Sequence, residues 1–133
     1  AAFFPPAGDR IEESAYPILQ KIAASAARIP NKILLEGHTD STPIHNDRFR
    51  SNWDLSTARS IAMLTLFGDR FSLPLSRMSV AGYADTVPVS DNATAEGRQK
   101  NRRVDVVFLN EFGLRSQPGK APPPSAPKAT VAK

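Results

Sequence analysis

Asp40 stands in the segment Gly37-His38-Thr39-Asp40-Ser41-Thr42, directly after a short apolar run, and Asn52, Ser56 and Arg59 follow at i, i+4 and i+7. A carboxylate just past the carboxyl end of a strand lies where open α/β sheets bind ligands. It can equally cap a turn, a frequent use of aspartate in loops. The second group shares one face at the start of a helix. There the free backbone N–H groups and the helix dipole favour an anion, and Arg59 adds a planar fork matched to a carboxylate. Solvated surface is the plainer use of such a stripe. Taken together, the acid and the arginine suit the two ends of a zwitterion, with Asp40 for an ammonium and Arg59 for the neighbouring carboxylate. That is the head group of an amino acid, free or at the end of a side chain.

Other chemistries find less support. The run Glu96-Gly97-Arg98-Gln99-Lys100-Asn101-Arg102-Arg103 is dense in charge. For Arg98 and Arg103 it reads as a solvated helix leading into a strand, with an arginine pairing to Asp40 or Asp105; Arg102 is left open. No G-x-S-x-G elbow is present. The two histidines, His38 and His45, are seven positions apart in a chain without cysteine, so a zinc site would need carboxylates from elsewhere. No catalytic residue, metal ligand or cofactor is expected, and a hydrolase is the weaker alternative. His38 is expected to be buried at a strand end as a hydrogen-bonding residue. Trp53 and Tyr83 have faces that could stack on sugars, but packing at the rim of the core is the expected use. Asn92-Ala93-Thr94 matches a glycosylation sequon, which a cap or turn explains.

The elements that must position these residues are bounded by composition. The chain has 133 residues, enough for one domain that buries its own core. The absence of cysteine excludes a disulfide scaffold, a thiol nucleophile and Cys-ligated metal. No apolar run reaches the ~20 residues of a membrane-spanning helix. The opening Ala1-Ala2-Phe3-Phe4-Pro5 does not read as a signal peptide, so any membrane anchor is expected upstream of residue 1. The formal charge is +4, yet three of those units are Lys120, Lys128 and Lys133 in a tail that also holds five of the twelve prolines. Such a tail cannot bury enough surface to offset its ordering entropy. What remains is a nearly neutral body with no basic stripe, which argues against nucleic acid as a partner. The expected division is a folded domain over residues 1–112 and a disordered Pro/Ala/Lys-rich tail over 113–133.

Within the body, Ala2–Phe4 reads as a short first strand ended by Pro5-Pro6. Leu19, Ile22, Ala23 and Ala26 have the spacing of a helix with one buried face, over about residues 14–28, with Pro17 in its first turn. Lys32-Ile33-Leu34-Leu35-Glu36 reads as an interior strand closed by Gly37. A second helix runs from Ser51-Asn52 through Phe67 with Gly68 as its stop. A strand over 77–83, a short helix capped by Thr94 and a strand over 104–109 complete a βαβαβαβ order, which predicts an α/β sandwich.

Four stretches then carry a resemblance: Glu36-Gly37-His38-Thr39-Asp40; Asn52-x-x-Leu55-Ser56-x-x-Arg59; Gly82-Tyr83-Ala84-Asp85-x-x-Pro88-Val89; and Asn92-x-Thr94-x-Glu96-Gly97-Arg98-x-x-Asn101-Arg102-Arg103-Val104. In this order, over about residues 2–110, the chain resembles the OmpA-like peptidoglycan-binding domain. The stretch 51–56, the loop 39–44 and the length of the segment between Asp40 and Asn52 resemble most its MotB branch, the periplasmic domains of flagellar motor stator subunits. Outer-membrane and lipoprotein wall anchors of the same family are the alternative. The resemblance implies a mixed four-stranded sheet packed with helices, and non-catalytic binding of diaminopimelate-containing stem peptide in the periplasm. It assigns the grip to Asp40 and Arg59, with Thr42, Asn52 and Arg102 in support. It also implies a homodimer, and a partner membrane subunit reached through a segment absent from this sequence. Where many members carry an aspartate after the first strand, this chain has Pro5-Pro6, so any contact from that loop is expected to be through backbone.

Overall fold

The computed structural model describes residues 3–115; Ala1, Ala2 and the proline-rich tail from Ser116 onward lie outside the described residues. A 3₁₀ turn at Glu13–Ala15 leads into helix α1, Tyr16–Ala27, with Pro17 in its first turn as expected. Strand β1, Ile33–His38, is followed by helix α2, Asn52–Asp69, and strand β2, Met78–Gly82. Helix α3, Ala95–Asn101, precedes strand β3, Arg103–Phe108. The sheet order is β2-β1-β3, with β1 parallel to β2 and antiparallel to β3. The fold is thus a mixed α+β arrangement.

The sheet has three strands, not the expected four. Phe3 and Phe4 form a bend, because Pro5 and Pro6 offer no N–H to a ladder and the adjacent carbonyls are committed elsewhere. Phe3 O accepts from the Glu12 N–H at 2.9 Å, and Phe4 O accepts from Arg102 Nε at 3.2 Å. Phe4 is fully buried, so its side chain joins the core without its backbone joining the sheet.

The core lies on one face of the sheet. Ile33 and Leu35 from β1 and Val104 from β3 meet Leu19, Ala23 and Ala26 of α1 and Met63 and Phe67 of α2. Two expected stop signals are overrun. Helix α2 continues through Gly68 to Asp69, and β1 continues through Gly37 to His38. Gly37 does not end its strand; it lets α2 come close. A Cβ there would stand 1.9 Å from Ser56 O, and one at its register partner Gly82 would stand 2.2 Å from Thr57 Oγ1. Ser60 Oγ donates to Ala81 O at 2.7 Å and the Ala84 N–H donates to Ser56 Oγ at 3.0 Å, fastening the helix to β2. This pair of glycines is what sets Arg59 against the carboxyl end of β1.

Gly37→Ala is therefore expected to lower stability by about 2 kcal/mol or more, because the obstacle is backbone that cannot rotate away. Urea unfolding measures it; a midpoint equal to that of the native chain would contradict the close approach.

Candidate functional site

The carboxyl end of β1 meets the amino end of α2. Ser51 caps that helix, its side chain accepting from the Trp53 N–H. Beside it lies a cavity of about 70 Å³ whose lining includes Asp40, Thr42, Asn52 and Arg59. A single water needs about 10–15 Å³ of such space, so the cavity holds several waters and admits the tip of a side chain.

Asp40 is nearly buried, at 7 % exposure. Its Oδ1 accepts from the Thr42 N–H at 2.9 Å, the turn-capping use that the sequence allowed, and its Oδ2 pairs with Arg102 Nη1 at 3.0 Å. Desolvation pushes the carboxyl up, but the Thr42 N–H and the Arg102 guanidinium outweigh it and hold Asp40 below the usual carboxylate range. It is ionised at neutral pH.

Arg59 is buried, yet part of its side chain lines the cavity. Its Nε donates to Gly8 O at 2.8 Å, Nη1 to His38 O at 3.0 Å and Nη2 to Pro5 O at 3.1 Å. The guanidinium lies 5.1 Å from the centre of the Phe4 ring. Burial pushes Arg59 down to about 10, opposed by the charge of Asp40, so it too stays charged at neutral pH. Of five N–H donors on a guanidinium, one on each Nη remains beyond these bonds. The proline loop thus presents backbone carbonyls, of Pro5 and Gly8, to Arg59.

Of the five residues expected at the site, four line one cavity and the fifth, Arg102, reaches Asp40 from outside that lining while also holding Phe4 O. Asn52 Nδ2 donates to Thr42 O at 3.1 Å, closing the loop onto the helix. Motif spacing did not reveal the apolar wall of Pro6, Ala7, Pro43, Ile44 and Leu55. Nor did it reveal the support behind Asp40. Asn101, fully buried, accepts from the Val89 and Ser90 N–H groups and donates to Ser90 O and Asn92 Oδ1; the last atom also accepts from the Ser41 N–H. The loop after β2 is thereby fixed to the loop that carries Asp40.

Among the neighbours, Trp53 differs from expectation, whereas Thr94, Arg103 and the burial of His38 follow it. Trp53 is 55 % exposed instead of packed at the core rim, standing in the first turn of α2, a turn before Ser56 and Thr57 meet β2. Tyr83 stacks on the His38 ring, with centroids 5.4 Å apart, and donates to Glu36 Oε2 at 3.1 Å. Thr94 caps α3 by accepting from the Gly97 N–H, which accounts for it without glycosylation. Arg103 pairs with Asp105 at 3.0 Å, whereas Arg98 donates to Asn92 O. His38 is buried as expected; its Nε2 stands 3.2 Å from Asp105 Oδ2, outside hydrogen-bond geometry, and its Nδ1 has no partner.

The OmpA family model matches residues 3–102. Motility protein B of Bacillus subtilis is 45% identical over 80 residues, which are 60% of this chain and 31% of that protein. Among solved structures, the cell wall anchor of the T6SS from Pseudomonas aeruginosa is 36% identical with a TM-score of 0.68, covering 78% of this chain and 72% of that one. The C-terminal domain of Helicobacter pylori MotB is 26% identical with a TM-score of 0.73, covering 83% of each chain. The matched segment is less than half the length of most of the curated relatives, and 59% of the outer-membrane lipoprotein YfiB of Pseudomonas aeruginosa. Among the described residues, no helix is long and apolar enough to cross a membrane.

Proposed function

The chain belongs to the OmpA family, and from that premise we propose that it is a non-catalytic anchor to peptidoglycan, holding the diaminopimelate end of the stem peptide. The observation that carries this reading is the shared cavity: an ionised aspartate and a charged arginine line one space with room for a side-chain tip. The free end of diaminopimelate is an ammonium and a carboxylate on one carbon. Asp40 takes the ammonium through lone pairs that Thr42 and Arg102 leave open, and the remaining Arg59 N–H groups take the carboxylate. Thr42 and Asn52 hold the loop that closes the cavity, and Arg102 holds Asp40 in place. Lysine has the ammonium but no carboxylate beside it, so Arg59 would face nothing.

Similarity to MotB domains and to a type VI wall anchor supports a role in tethering a larger protein to the wall. In this reading the parent is a stator-type subunit, periplasmic, homodimeric and joined to its membrane partner through a segment outside this sequence. Purified sacculi test the chemistry. Walls with diaminopimelate stems are expected to retain the protein at least tenfold better than walls with lysine stems. Equal retention would rule out recognition of the zwitterion.

A further inference from the structure

On the sheet face turned away from α1 and α2, strand alternation brings out Glu36 and His38 of β1, and Asp105 of β3 stands directly opposite Glu36 in the register. We propose that Glu36, His38 and Asp105 form a binding site for a divalent transition-metal ion of the zinc class. One ligand atom from each residue lies within 4.8 Å of the others, the one such group among the described residues. The side chains of Glu36 and His38 are 4 % and 3 % exposed, while Asp105, at 41 %, leaves a path from solvent.

The second observation is the imidazole. His38 is buried; its Nδ1 has no partner and its Nε2 faces only the Asp105 carboxylate, outside hydrogen-bond geometry, an arrangement that costs free energy unless something else takes a lone pair. Its Nε2 lies 3.2 Å from Asp105 Oδ2, close to the spacing of two ligands on one ion, without meeting hydrogen-bond geometry. One imidazole and two carboxylates make a donor set suited to zinc, with a further position left to water.

The groups around the cluster orient its carboxylates. Tyr83 donates to Glu36 Oε2, Arg115 pairs with Glu36 Oε1, and Arg103 Nε donates to Asp105 Oδ1 at 3.0 Å. Each carboxylate oxygen retains a second lone pair, and ligating carboxylates are commonly held by hydrogen bonds of this kind. The Asp105 oxygen nearest His38 is the one that Arg103 Nε leaves free. The site is separate from the cavity at Asp40 and does not depend on wall binding.

Calorimetry and thermal melts of the full 133-residue chain with zinc chloride test the site. Expected are one zinc per chain and a rise in Tm of about 10 °C at roughly 100 times Kd, reversed by EDTA. Magnesium, which disfavours imidazole, is expected to give no such rise. His38→Gln and Asp105→Asn should each weaken zinc binding at least tenfold. The second keeps the size of a half-exposed side chain, so the test survives if the first fails to fold. His45→Ala should bind zinc as the native chain does. Absence of binding by the native chain, unchanged affinity in Asp105→Asn, or loss of binding in His45→Ala would each overturn the proposal.

Discussion

Arg59→Ala is expected to cost the domain about 4 kcal/mol, enough to bring many proteins of this size close to unfolding. The substitution leaves the buried carbonyl of His38 and the part-buried carbonyls of Pro5 and Gly8 without their donor. Each unsatisfied group costs roughly 1–3 kcal/mol, and the space left by a wholly buried side chain adds to that. Arg59 ties the amino-terminal loop to the end of β1, so its loss frees that loop as well as removing a ligand contact. Arg59→Lys keeps the charge but cannot reach the same acceptors with a planar fork. It is expected to fall between the two, at about half the loss. Urea unfolding followed by circular dichroism reads all three chains. A native midpoint for Arg59→Ala would show that the three bonds do not anchor the fold. Loss of wall binding in this variant therefore has two causes, and Arg59 alone is a poor probe of the site.

Asp40→Asn separates binding from folding. The amide keeps an oxygen for the Thr42 N–H and nearly the same volume, so the turn survives. What disappears is the negative charge that would meet an ammonium. Removing one member of a desolvated charge pair typically costs 2 kcal/mol or more in binding, so retention on diaminopimelate-containing sacculi is expected to fall about 30-fold. Arg102, with 11 % of its side chain exposed, also loses its counter-ion. Its second bond, to Phe4 O, keeps it in place, and the Tm is expected to drop by only a few degrees. Native-like retention by a folded Asp40→Asn chain would remove Asp40 from the site. Sedimentation with sacculi beside a thermal melt of the same preparation decides it.

Much of the fold was legible because its signals are local. The apolar spacing of Leu19, Ala23 and Ala26 marks α1, Pro17 its first turn and Thr94 the cap of α3. The first strand was misread for a reason beyond local pattern. Phe3-Phe4 has strand-like residues, but their carbonyls go to Glu12 and Arg102, the latter distant in sequence. Gly37 and Gly68 were misread as stops because glycine signals both an ending and a close approach, and only the neighbouring element tells which.

At the site, the sequence by itself determined the residue types: an acid after a strand, an arginine on the next helix, and the family that shares both. Charge and spacing suffice for that, since a carboxylate and a guanidinium have few partners and a helix puts i, i+4 and i+7 on one face. Tertiary structure alone decided the partners. It made Arg102 the ion pair of Asp40, turned Arg59 into an anchor for three carbonyls, and brought Asp105 across the sheet to His38. Those contacts join segments far apart along the chain. They are set by strand register and by the depth to which two glycines let α2 settle, quantities that no local pattern encodes.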